Sequence, residues 1–118
     1  MSITLNTKVY SRVRFNTPDS VTYGSTDNSY GSKDTLELKR VYPKPTATFG
    51  GVARPTIKLV TAEDVDGVSV DNITTLTGSY PAGSDGTVRL EQLTRMKDML
   101  ALEIAATTNV ASKLAIEY

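Results

Sequence analysis

The chain has no cysteine, no histidine and no tryptophan. Without thiol or imidazole there can be no cysteine nucleophile, no histidine general base and no histidine-based triad. Zinc sites built from Cys and His fall away for the same reason. No disulfide can staple the fold, so cysteine usage gives no sign of the redox compartment. An excess of one charge is missing too, because 13 Lys and Arg face 13 Asp and Glu. No apolar run is long enough to span a bilayer, and the opening Met-Ser-Ile-Thr-Leu-Asn lacks the basic and apolar regions of a signal peptide. There is no P-loop and no dinucleotide fingerprint. These absences argue against an enzyme, a cofactor or a small-molecule substrate. They leave a soluble, intracellular globular domain as the expectation. The 118 residues suit a single domain, 1–118, with one core.

The zero net charge hides a sorting along the chain. Residues 1–58 carry nine basic side chains against four acidic ones. Residues 59–86 carry Glu63, Asp64, Asp66, Asp71 and Asp85 with no basic residue. Such a chain can present a basic face to a polyanion, or make charge-matched contacts with copies of itself.

Two zones differ in pattern. Residues 1–80 are rich in Thr, Val, Ser and Tyr and are punctuated by Gly and Pro, which reads as strand. Residues 85–116 are rich in Leu, Ala and Met, which reads as helix. The first strand is expected over 3–10, with a turn at Asn16–Ser20 and a loop over 24–32. Residues 35–42 alternate, with Leu36 and Leu38 on one side and Glu37 and Lys39 on the other; a bulge is expected at Lys39-Arg40. Residues 55–61 alternate again, with Ile57 and Leu59 opposite Thr56 and Lys58. Asp66-Gly67 between valines signals a type I′ hairpin. Ile73 and Leu76 fall on opposite sides of a regular strand, so a kink near Asp71-Asn72 is expected. Ser84 or Asp85 can cap a helix over about 86–106. Leu90, Leu93, Met96, Leu100 and Ile104 then share one helical face, and a second short helix is expected over 109–116. Strands first and helices last make an α+β fold with an antiparallel sheet.

The Glu63-Asp64-Val65-Asp66-Gly67 stretch lacks the spacing of a calcium loop and reads as a solvated hairpin tip, so no metal is expected. The face bearing Glu37, Lys39, Thr56 and Lys58 is open to two readings. It is the wet side of an antiparallel sheet, or a nucleic-acid platform with Lys for phosphates and Thr for bases or sugars. The apolar stripe on the long helix, widened by Met99, is more than one small sheet covers. Leu93, Met96, Met99, Leu100 and Ile104 are therefore expected at a dimer interface.

Four local features resemble the coat proteins of the small single-stranded RNA bacteriophages, the leviviruses. Thr35–Pro45 (TLELKRVYPKP) is similar to their central strand and its Lys/Pro turn, and Arg54–Leu59 (RPTIKL) to the next strand. Ser79-Tyr80-Pro81-Ala82-Gly83 before an acid-capped helix resembles their last strand and helix, and Ala115–Tyr118 their tail. The resemblance implies a homodimer with a continuous sheet clasped by exchanged helices. It implies an icosahedral shell, in a virion made in a bacterial host, that packages single-stranded genomic RNA. It implies RNA contacts at Lys39, Thr56, Lys58, Arg40, Asn72 and Thr74, on a face that in many members also binds an operator hairpin. It matches Glu63, Asp64, Asp66 and Gly67 to the inter-dimer loop around the symmetry axes, here without cysteines. Glu37 is a departure, an acid on the RNA face. A competing reading is another phage structural protein, such as a tail-tube or decoration subunit, without RNA binding.

Overall fold

A computed structural model describes residues 2–105. The element order is β1 (Ser2–Leu5), β2 (Lys8–Thr17), β3 (Ser20–Ser25), β4 (Asp34–Val41), β5 (Val52–Val65), β6 (Val68–Thr77), β7 (Tyr80–Pro81) and α1 (Gly86–Ile104). Strands β1 to β6 lie in chain order in one antiparallel sheet, and β7 pairs with the start of β5. Every neighbour along the meander is a sequence neighbour, so short turns suffice and no crossover is needed. The chain divides into two compact units, one ending at Ala82 and the other beginning at Gly83.

The expected first strand is in fact a hairpin. Asn6 and Thr7 take positive φ, 47° and 67°, and turn the chain between β1 and β2. That turn lacks the glycine that advertises most such hairpins. The second hairpin is the one the Asp-Gly pair signals, with φ 52° at Asp66 and 82° at Gly67.

Strands β4, β5 and β6 keep an unbroken register. Leu36 faces Leu59, Lys39 faces Thr56, Arg40 faces Pro55, Val60 faces Ile73 and Ile57 faces Leu76. No bulge occurs at Lys39-Arg40 and no kink at Asp71-Asn72. Ile73 and Leu76 simply occupy opposite faces. The irregularities lie in β2 instead, between Arg12 and Arg14 and between Phe15 and Thr17. Pro55 has no N–H to donate, and it stands where the β6 pairing ends; there Gly78 N–H donates to its carbonyl at 3.0 Å.

Alternation gives the sheet two unlike faces. The apolar face carries Tyr10, Tyr23 and Leu36, the buried hydrophobic residues among those described, with Ile3, Val21, Leu38 and Leu59 packed against them. Leu36 is 2% exposed, but Phe15 and Ile57 on the same face remain 63% and 43% exposed.

Asp34, at the start of β4, ties the edge of the sheet together. Its carboxylate accepts from Lys8 Nζ at 2.9 Å, from the Tyr10 hydroxyl at 3.1 Å and from the Ser25 hydroxyl. Its own N–H donates to Asn28 Oδ1 at 3.0 Å. Burial pushes the Asp34 carboxyl up, but the hydrogen bonds from Ser25, Lys8 and Tyr10 outweigh it and hold it below its ordinary value. The knot also fixes the loop between β3 and β4. Gly24 lets that loop approach, since a Cβ there would stand 2.9 Å from both Asn28 Nδ2 and Val13 Cγ2.

In the second unit, Asp85 caps α1 by accepting from Thr87 N–H at 2.9 Å. Glu91 and Arg95 pair one turn apart at 3.9 Å. No residue of α1 is buried, and Leu93, Met96, Met99, Leu100 and Ile104 are all exposed. The short helix expected over 109–116 lies outside the described residues.

Candidate nucleic-acid interface

The face opposite Leu36 and Leu59 is polar and mainly basic. Lys39 and Thr56 are directly paired on it, and so are Glu37 and Lys58. Thr77 stands across from Thr56 and Thr75 across from Lys58. Three strands therefore bring Lys39, Thr56, Lys58, Thr75 and Thr77 onto one surface. Arg54, opposite Val41, falls on the same side. From β2, Arg14 pairs with Thr22 and extends the face toward the first hairpin. Arg14 Nε donates to Asn16 Oδ1 at 2.9 Å, and Asn16 Nδ2 donates to the Thr22 and Ser20 hydroxyls at 2.7 and 3.1 Å. That chain of bonds holds the guanidinium while leaving it exposed.

Arg40, Asn72 and Thr74 lie on the other face. Asn72 pairs with Thr61 and Thr74 with Leu59, so both share the side of the leucines. Asn72 Nδ2 donates to Glu63 Oε2 at 2.6 Å. Arg40 is 3.1 Å from Asp19 Oδ1 and sits over the Tyr42 ring, 4.8 Å from its centroid. The expected contact set thus splits. Lys39, Thr56 and Lys58 are together, and the unbroken β5–β6 register puts Thr75 and Thr77, rather than Asn72 and Thr74, on their face. A strand read without the kink, counted from the Asp66-Gly67 turn, would have reached this assignment.

Where the basic face meets the loop after β3 there is an open concavity of about 650 Å³. Arg14, Thr22, Tyr30, Lys33, Glu37 and Lys58 are among the side chains that line it. Tyr30 is fully exposed at 109%. Lys33 reaches Asp71 at 3.7 Å. The acidic residues Glu63, Asp64 and Asp66 stand exposed at the far hairpin tip with Gly67, toward the opposite end of β5 from Thr56 and Lys58.

A flat sheet face with spaced ammonium and guanidinium groups, hydroxyls between them and an exposed aromatic ring is chemically matched to a flexible polyanion carrying planar bases. It offers no nucleophile–base pair for catalysis among the described residues.

No family model matches the sequence, and no curated protein sequence matches it. Solved structures do. The chain is similar to the subunit of the virus-like particle of Beihai levi-like virus 32, with a TM-score of 0.84 at 19% identity, over 96% of this chain and 91% of that one. It is similar to that of Wenzhou levi-like virus 4, with a TM-score of 0.74 at 16% identity over 96% and 80% of the two chains. For the particle of Beihai levi-like virus 21 the values are 0.67 and 20%, over 100% and 95%. At these identities the likeness is one of fold. The sheet followed by a helix is the levivirus coat fold, as the sequence resemblance implies.

Proposed function

We propose that this chain is a structural coat protein that dimerises, assembles into a closed shell and packages single-stranded RNA against its basic sheet face. The observation that carries the reading is the shared fold, over 96% of this chain, with a subunit of a levi-like virus particle. The chain alone also looks like half of something. Strand β6 is ten residues long, pairs on one side only among the described residues and has neither Pro nor Lys in its sequence. Such an edge invites another strand. Among the described residues, the α1 stripe (Leu93, Met96, Met99, Leu100 and Ile104) is exposed, and so are Phe15 and Ile57 on the apolar sheet face. A second copy supplies all three needs at once, by pairing its own β6 and laying its helix on the open apolar face. The whole chain acts as one coat domain in this arrangement.

The opposite face then belongs to the shell interior. Lys39 and Lys58 attract phosphates, and Thr56, Thr75 and Thr77 offer hydroxyls to sugars and bases. An operator hairpin, where one is bound, uses the same surface. The acidic hairpin tip with Glu63, Asp64, Asp66 and Gly67 meets neighbouring dimers. The test is nuclease protection. Particles made in bacteria and treated with ribonuclease should retain RNA that is released on disassembly. Particles that form but hold no RNA would leave a structural virion protein of another kind.

A further inference from the structure

Glu37 is out of place on a face that attracts polyanions. Asp71, also lining the concavity, is neutralised by Lys33 at 3.7 Å. Glu37 forms no ion pair and no hydrogen bond with any described residue, although Lys58 is its direct cross-strand partner. Both side chains are half-buried and both line the concavity beside the exposed Tyr30 ring. An unpaired carboxylate there weakens phosphate binding by repulsion, so it needs a ligand group that a neutral residue would serve less well.

A carboxylate is an acceptor with two oxygens, and an ammonium is a donor with three protons. Placed side by side, they ask for a ligand edge reading acceptor, donor, donor. Among the four RNA bases only guanine has that edge, with O6, N1–H and the N2 amino group in a row. Adenine presents one amino donor beside an acceptor nitrogen. Cytosine presents a donor beside two acceptors, and uracil a single donor between two acceptors. In single strands these edges are free, and an aromatic side chain can stack the base.

We infer that Glu37 and Lys58 form a guanine-reading site, in which the Glu37 carboxylate accepts from N1–H and N2–H, Lys58 donates to O6, and Tyr30 stacks the base. This rests on the RNA-binding reading of the same face. It makes Glu37 a specificity residue and lets Lys58 serve both base and phosphate with different protons.

The test uses the purified full chain and five short RNAs: UUGUU, UUAUU, UUCUU, UUUUU, and UUGUU with inosine in place of guanosine. Wild type should bind UUGUU about tenfold more tightly than the other three natural sequences, the scale of one good bidentate base contact. Inosine lacks the N2 amino group and should lose most of that preference. Glu37→Ala should erase the difference between guanosine and inosine while raising affinity for UUUUU, because the repulsive charge is gone; Glu37→Gln should fall between. Equal binding of all five RNAs with clear salt dependence would overturn the guanine site and leave RNA binding standing. So would a guanosine preference that survives Glu37→Ala. No binding to any RNA at low salt would overturn both.

Discussion

The Lys8 ammonium lies 2.9 Å from Oδ2 of Asp34, so a residue at the start of β2 is bonded to one at the start of β4. Between them in sequence run a bulged strand, a turn and the loop that carries Tyr30. The contact makes the first hairpin, β3 and that loop one unit with the strand that presents Lys39. Asp34 is 4% exposed, and removing its carboxylate leaves the Tyr10 and Ser25 hydroxyls without their acceptor. Asp34→Ala should cost about 1–3 kcal/mol, read as a lower midpoint in denaturant at unchanged slope.

The same group sets an acid limit. Asp34 is held below its ordinary value of 3.8, so the unfolded chain takes up its proton first as pH falls. Its stabilisation is therefore complete above that ordinary value and is lost as pH drops through the lower folded value. Thermal melts across the acid range should show a steeper loss for wild type than for Asp34→Asn. Parallel curves would mean that Asp34 does not govern the acid limb.

Covering the helix stripe should be a condition for a soluble particle. Burying one leucine is worth roughly 1.5–3 kcal/mol, and an unpaired buried charge costs more. Leu100→Asp should abolish dimer and shell together in size-exclusion chromatography. A well-folded dimer from that variant would place the interface elsewhere.

The acidic tip should matter between dimers and not within them. Replacing Glu63, Asp64 and Asp66 together by Gln and Asn removes the like charges that the proposed shell would bring together. It should change the salt dependence of shell stability and leave dimer stability near wild type. An equal loss in both would remove the hairpin from the inter-dimer contact.

Legibility in the sequence followed periodicity and glycine. Leu36, Leu38, Ile57 and Leu59 alternate cleanly, so their face and that of Lys39, Thr56 and Lys58 could be read directly. Asp66-Gly67 fixed the second hairpin because both residues accept positive φ. Asn6-Thr7 makes the same kind of turn with residues that signal it weakly, so the first hairpin reads in sequence as one strand. Arg40 is grouped with Lys39 only by the family resemblance, whereas strict alternation puts its side chain with the leucines, where it bonds Asp19. Asn72 and Thr74 come from the resemblance as well, and their face is hard to read from sequence because an apolar Ile73 on the polar face looks like a break in phase. The Arg14–Asn16–Thr22 network depends on β2 bulges that leave no mark in composition.

Salt dependence separates the roles on the basic face. Each phosphate contact contributes about 0.7–0.9 to the slope of log affinity against log salt. Lys39→Gln and Lys58→Gln should each flatten that slope and reduce packaged RNA. Thr56→Ala should keep the slope, because a hydroxyl releases no counterion, and reduce any sequence preference. If both Lys variants keep the wild-type slope and RNA load, the phosphate contacts lie on Arg14 or Arg54.

The central claim is that the chain builds a closed RNA-filled shell. Electron micrographs of the purified protein, taken with its ultraviolet spectrum, test it most directly. Uniform closed particles whose absorbance is dominated by nucleic acid are expected. A small soluble monomer, or open tubes and rings without nucleic acid, would contradict it.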